Sequence, residues 1–349
     1  MIAESVRTGV RARGVAPAWA AIALAFLGAS LLVGLGVGAV GIAPGAVVVS
    51  ALSHVPLLHV HSSLGSVQDA ILWQLRAPRV VVAALVGGML AIAGASYQGV
   101  FRNPLADPYL LGVAAGAGLG ATLVLAYGSA DVQLLPLAAF GGATIAAICS
   151  YTLGNASGPG RAMGTLVLAG VVVTAFLTAV QTFVQQQHTD TLQNVYSFIL
   201  GGFSTASWHD AGVAAPYIGV SSLVLVLHRR VLDVLALGDE EAASLGVNVR
   251  RVRLVVCAAA TVGTAAAVSV SGLIGFVGII VPHTIRLLCS TSYRAVVPLS
   301  LVAGAGFLVL TDVVARTILS PQELPIGVIT AFCGAPFFAV VLRTSKAVR

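Results

Sequence analysis

The sequence predicts an all-α, polytopic membrane protein with about ten transmembrane helices and both termini in the cytoplasm. Three observations lead there. Hydrophobic residues make up 58% of the 349 and charged residues only 9%, against roughly a quarter in soluble domains, so lipid must solvate most of the surface. The mean hydropathy is +0.99, and the apolar runs are long rather than alternating segments of about ten residues. That selects helices over a closed barrel, the two structures whose backbone bonds are complete without water. Basic residues also gather on alternate connections, the positive-inside pattern of a helical bundle.

The elements follow in order. The N-terminal arm 1–16 carries Arg7, Arg11 and Arg13 and leads into an uncharged run from Val15 to about Ile42. That run exceeds the core of a signal peptide, about 7–15 residues, and predicts a retained helix over 17–40. Further spans of about 20 apolar residues lie at 78–101, 110–127, 132–153, 164–186, 212–228, 250–270, 273–290, 295–315 and 326–343. Between the fifth and sixth, LQNVYSFILGGF (192–203) is too short to cross and predicts a helix lying on or dipping into the membrane. No hydrophilic stretch is long enough for a second folded domain, so residues 1–349 are expected to form one transmembrane domain.

With the N-terminus inside, alternation leaves only Arg76, Arg79 and Arg316 of the basic residues outside, each at the outer end of a helix. Two readings stand. They anchor helix ends or pair locally, with Pro78 in the first turn where its missing N–H costs nothing and Arg316 one turn after Asp312. Or they form a positive platform for an acidic partner arriving from outside.

Several activities are excluded or disfavoured. The net charge of +6 is scattered without aromatic interleaving, so no nucleic-acid surface is expected. A phosphate-cradling P-loop needs Gly-Lys-Ser/Thr, and the sole lysine, Lys346, follows Ser345. GAGLGA (116–121) lacks a surrounding βαβ unit; Gly112, Gly116 and Gly120 recur every four residues, as in close helix packing within lipid. No catalytic set is apparent, and the four cysteines have no CxxC spacing, so neither catalytic residues nor a metal site are expected. The spans hold few titratable groups, which disfavours an ion-coupled secondary transporter acting without an ATPase but keeps it as an alternative.

Other segments carry two readings each. Thr174, Thr178, Gln181, Thr182 and Gln185 follow helical spacing along the fifth span, either for interhelical hydrogen bonds or as the lining of a translocation pathway. In VLDVLALGDEEAASLGVNVRRVR (231–253), Gly238 and Gly246 bracket a short helix after Asp239, Glu240 and Glu241. It is a plain connection, or a rigid lever against which a peripheral motor pushes. The outer loop SHVPLLHVH offers His54, His59 and His61, at a spacing that matches no metal signature.

Taken together, LWQLRAPR, GVFRNPLADPYLLG (99–112), LALGDEEAASLGV, SGLIGFVGIIVPHTIRLL (271–288), TDVVART (311–317) and ELPIGVITAFCGAPFF (323–338) resemble the FecCD-type permease family. These are the membrane subunits of ABC importers for ferric siderophores, haem and cobalamin, and the likeness runs from about residue 68 to 343. The resemblance implies type II ABC importer architecture in the cytoplasmic membrane of a prokaryote. The implied partners are a second permease (the same chain or a paralogue), two ABC ATPase subunits that carry ATP and Mg, and an extracytoplasmic solute-binding protein. No cofactor is implied in this chain.

The implied roles are residue by residue. Arg76 and Arg79 match the LRxPR motif, and Arg316 the ADxxAR motif, whose arginines meet acidic residues of the binding protein. The coupling loop, about 231–249, would dock in the ATPase cleft through Asp239, Glu240, Glu241, Ser244, Leu245 and Gly246. The fifth-span stripe would line the pathway between two permeases. The cytoplasmic gate falls on NASGPGRAMG, at Asn155, Ser157, Gly158 and Gly160. His283 and Arg286 match a family motif and read as structural. The substrate implied first is a ferric siderophore, with cobalamin and haem as alternatives.

Overall fold

A computed structural model describes residues 15–54, 62, 64–128, 134–155 and 162–346. It is helical throughout: α1 (Pro17–Gly36), α2 (Pro44–Ser53), α3 (Ser66–Ala70), α4 (Ala77–Phe101), α5 (Val113–Tyr127), α6 (Leu134–Asn155) and α7 (Ala162–Gln187) are followed by α8 (Leu192–Leu200), α9 (Trp208–Leu235), α10 (Asp239–Ser244), α11 (Val249–Ser271), α12 (Val277–Leu288), α13 (Tyr293–Thr317) and α14 (Ile326–Lys346). A π-helical turn, Ile71–Arg76, joins α3 to α4.

The ten expected spans correspond to α1, α4, α5, α6, α7, α9, α11, α12, α13 and α14. Helix α8 is the short element expected between the fifth and sixth. Among the described residues, seven helical stretches are long and apolar enough to cross a bilayer on their own. Helices α5 and α12, of 15 and 12 residues, are shorter than the sequence suggested.

Both shortened helices follow a non-helical segment, 102–112 and 272–276, and the two segments meet. The Tyr109 hydroxyl donates to the Ile274 carbonyl at 2.9 Å and accepts from the Ile274 N–H at 3.1 Å. Gln98 Nε2 donates to the Gly278 carbonyl at 3.0 Å. Irregular backbone survives at membrane depth only where protein supplies its partners: the 102–112 break supplies Tyr109 to Ile274, Ser150 Oγ donates to the Leu111 carbonyl at 2.9 Å, and the Leu273 N–H donates to that of Phe198 at 3.3 Å.

Helix α4 is the axis. The apolar window within Ser66–Phe101 is 83% buried, against 11% for α1 and 22% for the window in α7. Helices α11 and α13 flank α4 and are also largely buried. The rest presents apolar side chains outward, such as Phe176 on α7 and Leu227 on α9. Contacts between helices use small residues. A Cβ at Gly87 would lie 2.3 Å from the Gly304 carbonyl oxygen, and one at Gly116 would lie 2.2 Å from that of Gly142. A Cβ at Gly120 would meet the Ala138 carbonyl at 2.1 Å. Gly116 and Gly120 therefore do what their four-residue spacing suggested, letting α5 and α6 backbones touch. Gly112 does something else: at φ +80 it turns the chain into α5.

On the outer face α2 lies across the entrance to α4, packing Val47 and Ile42 with Leu72. His54 caps α2, its Nδ1 2.9 Å from the Ser50 carbonyl and its ring 4.3 Å from that of Trp73. His59 and His61 lie outside the described residues.

Candidate functional site

Two polar clusters close the bundle at opposite ends of α4. The outer one contains Arg76, Arg79 and Arg316, brought together by the last turn before α4, its first turn and the end of α13. All three guanidinium groups are largely buried and engaged within the chain. Arg76 Nη1 donates to the carbonyls of Leu35 at 2.9 Å and Gly36 at 3.0 Å, and its Nη2 donates to that of Val40. These lie at and just beyond the end of α1, where carbonyls lack helical partners and a cation suits the dipole. Arg316 reaches the same end, donating to the Gly34 carbonyl, and its Nε sits 3.6 Å from Asp312 Oδ2.

Arg79 is held differently. Its Nε lies 3.0 Å from both oxygens of Asp312, and Nη2 lies 2.8 Å from Asp312 Oδ1. Its other edge faces Glu323, with Nη1 2.9 Å from Oε1 and Nη2 2.9 Å from Oε2. Two carboxylates thus grip one guanidinium from both sides, the bidentate geometry that makes arginine pairs strong. The side chain of Asp312 is 1% exposed and that of Glu323 is 39% exposed. Sequence reasoning found the i,i+4 approach of Arg316 to Asp312 but missed Glu323. The available signal was the ELPIG acid itself, in an outer connection poor in charge.

The inner cluster is centred on α10. Gly238 at φ +143 and Gly246 at φ +83 bound this six-residue helix in conformations that side chains resist. Asp239 turns inward, 2.6 Å from Arg253 Nη2 on α11 and 3.3 Å from Nη2 of Arg102, the residue that ends α4 at φ +48. Ala242 is buried, whereas Glu240, Glu241, Ser244, Leu245 and Gly246 are exposed. The preceding helix contributes Asp233, which accepts from Ser292 Oγ at 2.8 Å and the Tyr293 N–H at 2.6 Å, closing the start of α13. Arg286 of α12 donates to Gln98 Oε1 and stacks 5.3 Å from the Tyr293 ring centre. The inner ends of α4, α11 and α13 are therefore tied to the α9–α10 segment by charged side chains. Arg102, Arg253 and Asp233 were not singled out from sequence: Arg102 and Asp233 bond residues far along the chain, whereas Arg253 lies only 14 residues after Asp239, within the same loop.

The fifth-span stripe divides. Gln181 is buried against α5, where a Cβ at Gly118 would lie 3.0 Å from Gln181 Oε1. Thr174 faces the 102–112 break, its Oγ1 3.5 Å from where a Gly112 Cβ would sit. Thr178 and Thr182 are exposed on the single chain and Gln185 is half-buried. Of the expected gate residues, Asn155 ends α6 and is exposed; Ser157, Gly158 and Gly160 lie outside the described residues.

Comparison with known proteins places this arrangement. Residues 23–344 match the FecCD transport family. The chain is 38% identical to an uncharacterised ABC transporter permease, YvrB of Bacillus subtilis, over 96% of both chains. It is 42% identical to the cobalamin import permease BtuC of Halobacterium salinarum, over 79% of this chain and 74% of the other. Further relatives are named for iron-chelatin, hemin and molybdate transport. A solved structure, described as an inward-facing conformation of a metal-chelate type ABC transporter, superposes with a TM-score of 0.81 at 27% identity. It covers 94% of this chain and all of its own. A charged cluster at each end of a buried axial helix, a fold matched over nearly its whole length and sequence likeness from residue 23 to 344 agree: the chain belongs to the FecCD transport family, as a multi-pass membrane permease subunit of an ABC importer whose ATP is hydrolysed on a partner ATPase.

Proposed function

We propose that this permease imports an iron chelate, a ferric siderophore before haem, handed to its outer face by a solute-binding protein. The observation that carries the transport reading is the placement of two charged clusters at opposite ends of α4, one for a partner outside and one for a motor inside. Iron-chelate names recur among the relatives and support the substrate. The 42% identity to a cobalamin permease favours cobalamin as the second reading.

In this reading the outer cluster, with Arg76, Arg79 and Arg316, is the docking ground, where opposed charges set register and encounter rate more than affinity. Two ABC ATPases receive the exposed side of α10 and the turn after it, namely Glu240, Glu241, Ser244, Leu245 and Gly246. A second permease, the same chain or a paralogue, covers the outward face of α7, on which Phe176 and Phe183 are 66% and 62% exposed. Solute then passes beside Thr178 and Thr182 towards a gate at Asn155, Ser157, Gly158 and Gly160.

The substrate is tested by uptake in source cells with the gene deleted and restored, using labelled ferric hydroxamate, ferric catecholate, haem, cobalamin and molybdate. Restoration of ferric siderophore uptake alone is expected. Restoration of cobalamin uptake alone would select the second reading.

The coupling role predicts a particular uncoupling. Asp239→Asn removes the ties from α10 to α4 and α11, which are partly exposed and contribute only about 0.2–1 kcal/mol each. The assembled importer is therefore expected to keep its ATPase rate while solute moved per ATP falls. Equal loss of both rates in proteoliposomes would show Asp239 to be a general structural residue instead.

A further inference from the structure

We infer that Glu323 is a built-in competitor for the docking partner, so that docking proceeds by exchange of one carboxylate for another on Arg79. This rests on the docking reading above and says how the surface is regulated.

Of the three outer arginines, two are spent on the end of α1. Arg76 and Arg316 donate to the carbonyls of Gly34, Leu35, Gly36 and Val40, and no external acid reaches those donors without undoing the helix end. Arg79 alone presents an edge whose partner is exposed. Its guanidinium has five N–H groups. Asp312 and Glu323 together engage Nε, Nη1 and both sides of Nη2, leaving one N–H of Nη1. A carboxylate arriving from outside therefore gains a bidentate grip only by displacing one of the two.

Burial decides which one leaves. Asp312 sits at 1% exposure between Arg79 and Arg316, on a helix packed against α4 and α1. Glu323 is 39% exposed, in the connection between α13 and α14. In water a departing Glu323 is solvated at little cost, whereas a departing Asp312 has nowhere to go. Charge sets what the partner meets. Arg76, Arg79 and Arg316 against Asp312 and Glu323 leave a local excess of one positive charge, and the swing of Glu323 to solvent raises it to two. The undocked face is thus muted, and an acidic lobe of the binding protein meets its full charge only as it takes the place of Glu323.

The exchange has a second consequence. Glu323 is two residues from Pro325 and three from the start of α14, and the Leu324 N–H is bonded to the Ala315 carbonyl on α13 at 3.0 Å. Loss of the Arg79 pair frees the outer connection from α4, leaving its hold on α13. Docking is in this way felt at the entrance to α14.

The test uses the full importer in lipid nanodiscs with the solute-binding protein of the same system, read by surface plasmon resonance. Glu323→Gln is expected to tighten docking about fivefold, the upper range for one exposed pair. The neutral pair Arg79→Gln with Asp312→Asn, which removes one charge of each sign and leaves the local net charge unchanged, is expected to weaken it. A Glu323→Gln importer that docks no better than the parent, while the neutral pair weakens docking, overturns the exchange and leaves the docking surface standing. Unchanged affinity in the neutral pair overturns the docking surface and the exchange with it. A readout without the partner accompanies this: phenylglyoxal labelling of Arg79, followed by mass spectrometry, should be faster in Glu323→Gln and in Glu323→Ala. Equal labelling in parent and variants overturns the masking itself.

Discussion

Replacement of Asp312 by alanine is expected to destabilise the folded permease by about 3–5 kcal/mol, the cost of breaking a buried ion pair from one side. Asp312 is 1% exposed and faces both Arg79 and Arg316. Without it, three guanidinium groups remain close together with only Glu323 to balance them. Arg79→Gln combined with Asp312→Asn removes charge from both sides and is expected to lose much less than the two single changes summed. A thermal-unfolding double-mutant cycle on the detergent-solubilised protein measures this coupling directly. An Asp312→Ala protein as stable as the parent would mean that water or Glu323 compensates the arginines, and the cluster would not be architectural.

An effect of similar size is expected at the crossing of α4 and α12. A Cβ on Gly94 would lie 1.9 Å from the Gly278 carbonyl oxygen and 2.5 Å from its Cα. Those atoms are backbone and cannot rotate away. Gly278 is itself fixed, since the Gln98 amide donates to its carbonyl and a Cβ there would meet Pro108 at 2.5 Å. Gly94→Val must therefore separate two helices whose association in lipid rests on close packing. The loss should reach at least about 3 kcal/mol, the upper range for overpacking, with little folded protein in the membrane fraction. Gly141→Ala is the control, because no atom lies within 4 Å of its added Cβ. Equal yields of the two variants, measured by fluorescence-detected size exclusion, would show that the α4–α12 crossing yields easily.

These two variants act on structure rather than transport, and they bear on each other. Asp312 lies near the outer end of the axial assembly and Gly94 in its inner half, so a rigid α4 would carry strain from one cluster to the other. The ties from Arg102 to Asp239 and from Gln98 to Arg286 extend that rigidity to the inner face. Nothing comparable links α5, α6 and α7 to α10 among the described contacts. The physical expectation is that α4, α11 and α13 move together with α10.

What the sequence determined by itself is whatever a local window of residues can fix. The ten spans, the short α8 and the close-packing face of α5 at Gly116 and Gly120 follow from composition and period. They do so because desolvating a backbone is a cost settled residue by residue. The lengths of α5 and α12 were not legible, since 110–112 and 273–276 are as apolar as the helices they precede. Partners from elsewhere in the fold satisfy the unwound backbone: Tyr109 bonds Ile274, 165 positions away, Ser150 donates to the Leu111 carbonyl, and the Leu273 N–H donates to that of Phe198. The state of the outer arginines was likewise decided by tertiary structure. Arg79 reads in sequence either as a helix-end anchor or as a docking cation, and the partners that hold it, Asp312 and Glu323, stand 233 and 244 positions away. Which carboxylate neutralises a charge depends on where two helix ends arrive in space, and no window along the chain contains both.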